Sequence, residues 1–196
     1  MTGRLPLPEL AARVRAGEPR LGRTRLVCID GPAGSGKTTL AARLEAELEA
    51  GTAVVHMDDL FGGWTMTGLT VRLSSGVLEP LAEGRSGSYQ RYDWDTAAFL
   101  PDPLPVPVVD VLIVEGCGSS PRDFDRWTTL RIWVEAPQEL RLARGIERDG
   151  AALTDEWIRW QQLEADVFEA EDTRARADLR VNGTMACPEN AVGLLD

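Results

Sequence analysis

Several classes of protein are excluded by what the chain has little of. Among 196 residues there are three cysteines and one histidine. Cys28, Cys117 and Cys187 are odd in number and far apart, a pattern that suggests neither a disulfide framework nor a thiolate metal cluster. A reducing cytosol is therefore the expected compartment. His56 stands alone in a strand-like run, where a histidine is read as structural rather than catalytic. No apolar run approaches the length of a membrane span. Residues 1–20 carry arginines and prolines where a secretion signal would carry an apolar core. Positive charge is also short: 21 Lys and Arg against 31 Asp and Glu give a formal net charge of −10. Such a surface repels nucleic acid and anionic membranes, so neither is an expected partner. There is no internal repeat.

Hydrophobic content of 43% and charged content of 27% are ordinary for a globular domain, and the length fits one α/β domain with a sizeable core. The chain is organised around Gly31-Pro32-Ala33-Gly34-Ser35-Gly36-Lys37-Thr38, a complete G-x-x-x-x-G-K-[ST] pattern. Glycines let successive backbone N–H groups turn inward toward phosphate oxygens. The helix that follows adds free N-terminal amides and the positive end of its dipole. Lys37 reaches the β- and γ-phosphates and the Thr38 hydroxyl can ligate Mg²⁺. The expected nucleotide contacts are Gly31, Ala33, Gly34, Ser35, Gly36, Lys37, Thr38 and Thr39. The flanks agree with the motif. Leu26–Ile29 reads as a buried strand, and Thr39–Leu48 reads as a helix with Leu40, Leu44 and Leu48 on one face.

Residues 4–20 read as an amphipathic lead-in helix ended by Gly17 and Pro19. A second strand, Thr52–Met57, ends in Asp58-Asp59. Ligands of open α/β sheets sit beyond the carboxyl ends of strands, so Asp58 is a candidate to take a proton from an attacking hydroxyl or to hold Mg²⁺ through water. For Asp59, that role and a turn role both stand. Residues 65–85 read as one helix or two short ones. Tyr89-Gln90-Arg91-Tyr92-Asp93-Trp94-Asp95 mixes aromatic rings with carboxylates; this suits a sugar or nucleoside and equally suits a strand and turn with surface aromatics. Prolines 101, 103, 105 and 107 make a stiff extended connector. The buried strand Val108–Val114 ends in Glu115, the expected place for the second carboxylate beside Mg²⁺. After the strand Leu130–Glu135, a helix presents Arg141, Arg144 and Arg148 on one face, either a clamp over phosphates or a solvated basic face. Residues 154–176 read as a long helix with the core stripe Trp157, Trp160, Leu163 and Val167, and 177–181 as the last strand. Residues 184–196 carry no clear signal.

Taken in order, "IDGPAGSGKTTLA", "HMDDLF", "YDWD", "VLIVEG", "RLARGIERD" and "ADLRVNG" resemble the uridine kinase and nicotinamide riboside kinase branch of the phosphate-loop kinases, from about residue 26 to 183. The resemblance implies that Asp58 is the base for the acceptor hydroxyl. It implies that Asp93, with Tyr92 beside it, helps hold a ribose and that Glu115 assists Mg²⁺. Arg141, Arg144 and Arg148 would then belong to a lid at about 138–150. The base-recognition histidine and tyrosine of uridine kinases have no secure match here, and the proline connector replaces a longer helical segment.

The expected fold is α/β: a three-layer P-loop NTPase fold over residues 1–196 as a single domain, with a parallel central sheet of about five strands and helices on both faces. The expected activity is that of an ATP- and Mg²⁺-dependent kinase acting on a hydroxyl of a nucleoside or similar metabolite. A nucleoside monophosphate kinase and a non-catalytic nucleotide-binding protein are the alternatives. The former needs a second arginine set, for which Arg85, Arg91 and Arg122 are candidates. The expected partners are ATP and a small-molecule acceptor, with homo-oligomerisation left open.

Overall fold

The computed structural model describes residues 3–184 and 190–196. Cys187 lies outside the described residues. Strand β1 (Arg4–Pro6) leads into helix α1 (Leu7–Ala16), then β2 (Arg25–Asp30), α2 (Lys37–Leu48) and β3 (Thr52–His56). Helices α3 (Leu69–Leu73) and α4 (Glu79–Ala82) flank a π-helical turn, Ser74–Leu78. Four short strands follow: β4 (Gly87–Tyr89), β5 (Tyr92–Asp93), β6 (Ala98–Phe99) and β7 (Leu104–Val106). The rest is β8 (Val111–Glu115), β9 (Thr128–Glu135), α5 (Gln138–Asp149), α6 (Thr154–Glu171), α7 (Thr173–Arg176), β10 (Leu179–Asn182) and β11 (Ala191–Gly193).

Five strands form the central sheet in the order β10-β9-β2-β8-β3, every pair parallel. The expected five-stranded parallel sheet is therefore present. Its strands are apolar because both faces are covered. Leu26 and Cys28 of β2 join one core with Leu73, Leu78 and Trp160, while Val27 and Ile29 join the other with Leu10, Val14 and Leu44. The period-2 alternation of β2 thus feeds two cores, and helices lie on both faces. β2 sits at the centre of the sheet. The loop at its carboxyl end is consequently flanked by the ends of β8 and β9, which is what brings residues 30–38 and 115–117 together.

Four local expectations change. Residues 4–6 are not helical: β1 pairs antiparallel with β11, and the helix starts only at Leu7 with Pro8 in its first turn. That partner strand, Ala191–Gly193, lies in the stretch without clear signal in the sequence. The proline connector is not free chain, since β7 pairs antiparallel with β4. Proline is tolerated there because a strand in a two-stranded ribbon has an unpaired side. The long helix of 154–176 breaks at Asp172, whose φ of 52° is left-handed, giving α6 and α7. Among the described residues, no helix is long and apolar enough to cross a membrane.

Candidate active site

The loop after β2 needs its glycines for two different reasons. Gly31 has φ +137°, and a Cβ there would lie 2.1 Å from the Val134 carbonyl oxygen. A side chain is excluded by packing as well as by conformation. Gly36 has φ +100°, and a Cβ there would meet nothing within 4 Å. Open space therefore lies over the loop where the backbone turns into α2. The first helical bond runs from Leu40 N–H to the Gly36 carbonyl at 3.1 Å. The amides of Lys37, Thr38 and Thr39 precede it and are the free N-terminal donors of the helix. Open space in front of free amides at a helix start fits a phosphate group.

Two buried carboxylates brace this loop. Asp30 accepts the Gly31 N–H at 2.7 Å, the Gly118 N–H at 2.9 Å, and the Ser120 N–H and hydroxyl at 2.9 and 3.0 Å. It ties the start of the phosphate loop to the turn after β8. Glu164, from α6, accepts the Ala33 N–H at 2.8 Å on Oε2, and on Oε1 it pairs with Arg141 at 2.7 Å. It is 1% exposed. Sequence reading missed Glu164 because it lies in the helical stripe taken to be apolar. The buried face of α6 is Trp157, Trp160, Gln161 and Glu164. The signal was present: Glu164 is seven residues after Trp157, hence on the same face.

Lys37 is the chain's sole lysine. It is buried, and its Nζ donates to the Pro32 carbonyl at 3.0 Å and lies 3.6 Å from Cys117 Sγ. Burial pushes the Cys117 thiol well up, so it stays protonated, and its one proton has two acceptors in reach, the Gly31 carbonyl at 3.3 Å and Glu164 Oε2 at 3.4 Å. Thr38 Oγ1 donates to Glu115 Oε1 at 3.1 Å. The same Glu115 oxygen lies 2.7 Å from His56 Nδ1, and that hydrogen bond raises the histidine pKa. His56 and Glu115 are register partners across β3 and β8. Nothing in the local sequence pairs them. Among the described residues, no group of three or more His, Cys, Asp or Glu could hold a metal ion alone. A threonine and one carboxylate instead fit Mg²⁺, which ordinarily takes its remaining ligands from water and phosphate.

Lys37, Thr38, Glu115 and Cys117 line one cleft of about 1130 Å³. Asp58, in the 3₁₀ turn Met57–Asp59 after β3, faces it. The Asp58 side is open to the cleft, yet the walls crowd it and push its carboxyl above the ordinary range, with Glu115 adding to the shift and Lys37, Arg148 and His56 opposing it. Asp59 also lines the cleft and accepts the Tyr89 hydroxyl at 3.1 Å. Ala33, Gly34, Gly36 and Thr39 line it as well.

The arginine face divides. Arg148 and Arg144 line the cleft. Arg148 is paired with Asp149 through Nε at 2.7 Å, and Arg144 donates to the Gly34 and Gly183 carbonyls at 3.0 and 3.1 Å. Arg141 is different, and the expectation that it belongs to a lid is corrected. It is buried behind the loop, where it pairs with Glu164 and donates to the Ala136 and Ala33 carbonyls at 3.0 and 3.3 Å. Its fork has no freedom to close over a phosphate.

The pair Tyr92 and Asp93 is also displaced from its expected role. Asp93 accepts the Asp95 N–H at 3.0 Å and the Thr96 hydroxyl at 2.8 Å, so both of its oxygens close the β5–β6 turn. Tyr92 packs edge-on against Trp94 and Phe99, at 5.4 and 5.2 Å between ring centroids. Their neighbours Trp94 and Asp95 line the cleft instead. Trp94 Nε1 donates to the Asp58 carbonyl at 3.1 Å, and its ring lies 5.7 Å from that of Trp64.

No protein-family model matches the chain, and no curated protein matches it. Solved structures do. A possible uridine kinase from Bacillus stearothermophilus superposes with a TM-score of 0.64 at 19% identity, over 89% of this chain and 96% of that one. A candidate fructose transport system kinase from Silicibacter sp. TM1040 gives 0.62 at 23% identity, over 85% and 95%. At these identities the likeness is one of fold, a parallel five-stranded sheet with helices on both faces.

Proposed function

We propose that the chain is an ATP-dependent kinase that transfers the γ-phosphoryl group to a hydroxyl of a nucleoside or similar small metabolite. The observation that carries this reading is the convergence in one cleft of free helix amides, the buried Lys37, the Thr38–Glu115 pair and the acid Asp58. The names of the two neighbours, a possible uridine kinase and a candidate fructose transport system kinase, agree with a kinase reading.

The reaction needs little covalent chemistry from the protein; positioning and charge do most of it. The loop amides and Lys37 bind the triphosphate. Thr38 and Glu115 would hold Mg²⁺, which when bound offsets charge on the phosphate oxygens. Asp58 accepts the proton of the acceptor hydroxyl as its oxygen bonds to the γ-phosphorus. The bond between that phosphorus and the β–γ bridging oxygen breaks, and ADP leaves. Arg148 and Arg144 stabilise charge on the transferred group. Asp30, Glu164 and Arg141 keep the loop shaped without touching the nucleotide.

A nucleoside monophosphate kinase would need arginines on the acceptor side of the cleft. Of the three candidates, Arg85 pairs with Glu83 and Arg122 with Asp172, and none of the three lines the cleft. This favours an acceptor without a phosphate of its own. An ADP-release screen of nucleosides, nucleoside monophosphates and pantothenate with MgATP tests the reading. Turnover of an unphosphorylated alcohol is expected. Turnover of monophosphates alone, or tight ATP binding with no product from any acceptor, would reject it.

A further inference from the structure

The acceptor side of the cleft has an unusual stock of side chains. Its wall comes from the segments after β3, the β5–β6 hairpin and the α5–α6 turn: Asp58, Asp59, Phe61, Trp64, Trp94 and Asp95, then Arg148, Asp149, Leu153, Trp157 and Trp160. Four of the chain's six tryptophans are here. No Asn, Gln, Ser, Thr, His or Tyr is present in this wall.

Counting donors and acceptors makes the consequence explicit. Carboxylates only accept. The Trp94 and Trp157 indole N–H groups are already used, on the Asp58 carbonyl and on Asp149, which leaves the Trp64 and Trp160 indoles and one Arg148 nitrogen as donors facing the four carboxylates Asp58, Asp59, Asp95 and Asp149. Arg148 is the one cation, and Asp149 holds it through two nitrogens, at 2.7 and 2.9 Å. A sugar hydroxyl can donate to these carboxylates too, but only a cation both donates to them and offsets their surplus charge. It offers carboxylates and aromatic rings. Asp59 already accepts from Tyr89, whereas the Asp95 carboxylate has no partner among the described residues. Trp94, 43% exposed, is pinned beside Asp58 by its indole N–H, so a hydroxyl delivered to Asp58 brings the rest of its molecule past Trp94 and Asp95.

We infer that the acceptor is a positively charged alcohol, whose ammonium or equivalent cation sits between Asp95 and the Trp64–Trp94 rings while its hydroxyl meets Asp58. A desolvated cation gains from both the ring quadrupole and the carboxylate, and it donates where the wall accepts. The inference rests on the kinase reading and narrows its acceptor to one charge class. Arg148 does not oppose it, because the carboxylates Asp58, Asp59, Asp95 and Asp149 outnumber it in the wall.

Matched alcohols that differ in charge test this. Choline is compared with its neutral isostere 3,3-dimethylbutan-1-ol, and D-glucosamine with D-glucose, with uridine as a neutral nucleoside. Binding is followed by quenching of intrinsic tryptophan fluorescence in the presence of MgADP, and turnover by ADP release from MgATP. The cationic member of a pair is expected to bind about tenfold tighter or more, the size of one desolvated cation–π contact. Asp95→Asn is expected to shrink that preference while leaving ATP affinity unchanged. Neutral members that bind or react as well as the cationic ones would overturn the inference. So would no binding of any cation at millimolar levels, or a preference untouched by Asp95→Asn. Rapid phosphorylation of uridine without cation preference would overturn the inference and leave the kinase reading standing; failure to bind MgATP would remove both.

Discussion

The two sides of the cleft are built in opposite ways. The side proposed for phosphate centres on one contiguous stretch, Gly31–Thr39, which opens α2 with free amides and whose shape is held by the buried carboxylates Asp30 and Glu164. The side proposed for the acceptor is assembled from side chains on three separate regions of the chain, with Trp94 and Asp95 exposed on a two-stranded hairpin. A site made of backbone needs glycines at fixed spacing and leaves a pattern in the sequence. A site made of side chains from distant loops leaves no such pattern and is free to vary in what it binds.

If the two sides are separable, mutations should separate kinetically as well. The largest effect is expected from Asp58→Asn. Losing the proton acceptor should lower kcat by about 10²–10⁴-fold while the ATP dissociation constant stays near wild type. Lys37→Ala should cost roughly 10²-fold or more in rate and weaken ATP as well, because the ammonium serves bound and transferring phosphate alike. Steady-state kinetics beside direct nucleotide titration resolve the two patterns.

Glu164→Ala attacks the brace and not the cleft. It leaves Arg141 buried without its partner and the Ala33 N–H without an acceptor. Breaking a buried pair this way costs about 3–5 kcal/mol, visible as a lower Tm. The KM for ATP should rise more than the KM for the acceptor. Equal rises in both would mean that the brace serves the whole cleft and would blur the comparison.

The smallest effect is one of pH. In the proposed role Asp58 takes a proton only when ionised, and its carboxyl is raised above the ordinary value. Activity should therefore fall as pH drops through this raised pKa, with the acid limb of kcat/KM above the usual carboxylate range of about 4. Asp58→Asn should remove that limb from the residual activity. A limb at the ordinary carboxylate value would mean that the crowding of Asp58 by the cleft walls has no kinetic consequence.

The same contrast decides how much was legible in the sequence. The parallel sheet and the phosphate loop were readable because hydrophobic runs and a glycine pattern are local. Asp58 and Glu115 were placed at strand ends by position alone, and both face the cleft. Arg141 was misread because helical spacing puts it on one face with Arg144 and Arg148, while its partner Glu164 lies on another helix. Asp93 and Tyr92 came from the family resemblance, whereas the hairpin turn, set by pairing with Ala98–Phe99, brings Trp94 and Asp95 to the cleft. His56 stayed structural in the reading for want of the cross-strand register that sets it against Glu115.

The central claim is that a triphosphate tail seats on the amides that open α2. Titration calorimetry of the protein with MgATP, and with AMP as the control, tests it most directly. The account predicts saturable binding of MgATP, strongly weakened in Lys37→Ala, and no binding of AMP at the same concentrations. AMP binding as tightly as MgATP, or no uptake of MgATP at millimolar levels, would contradict it.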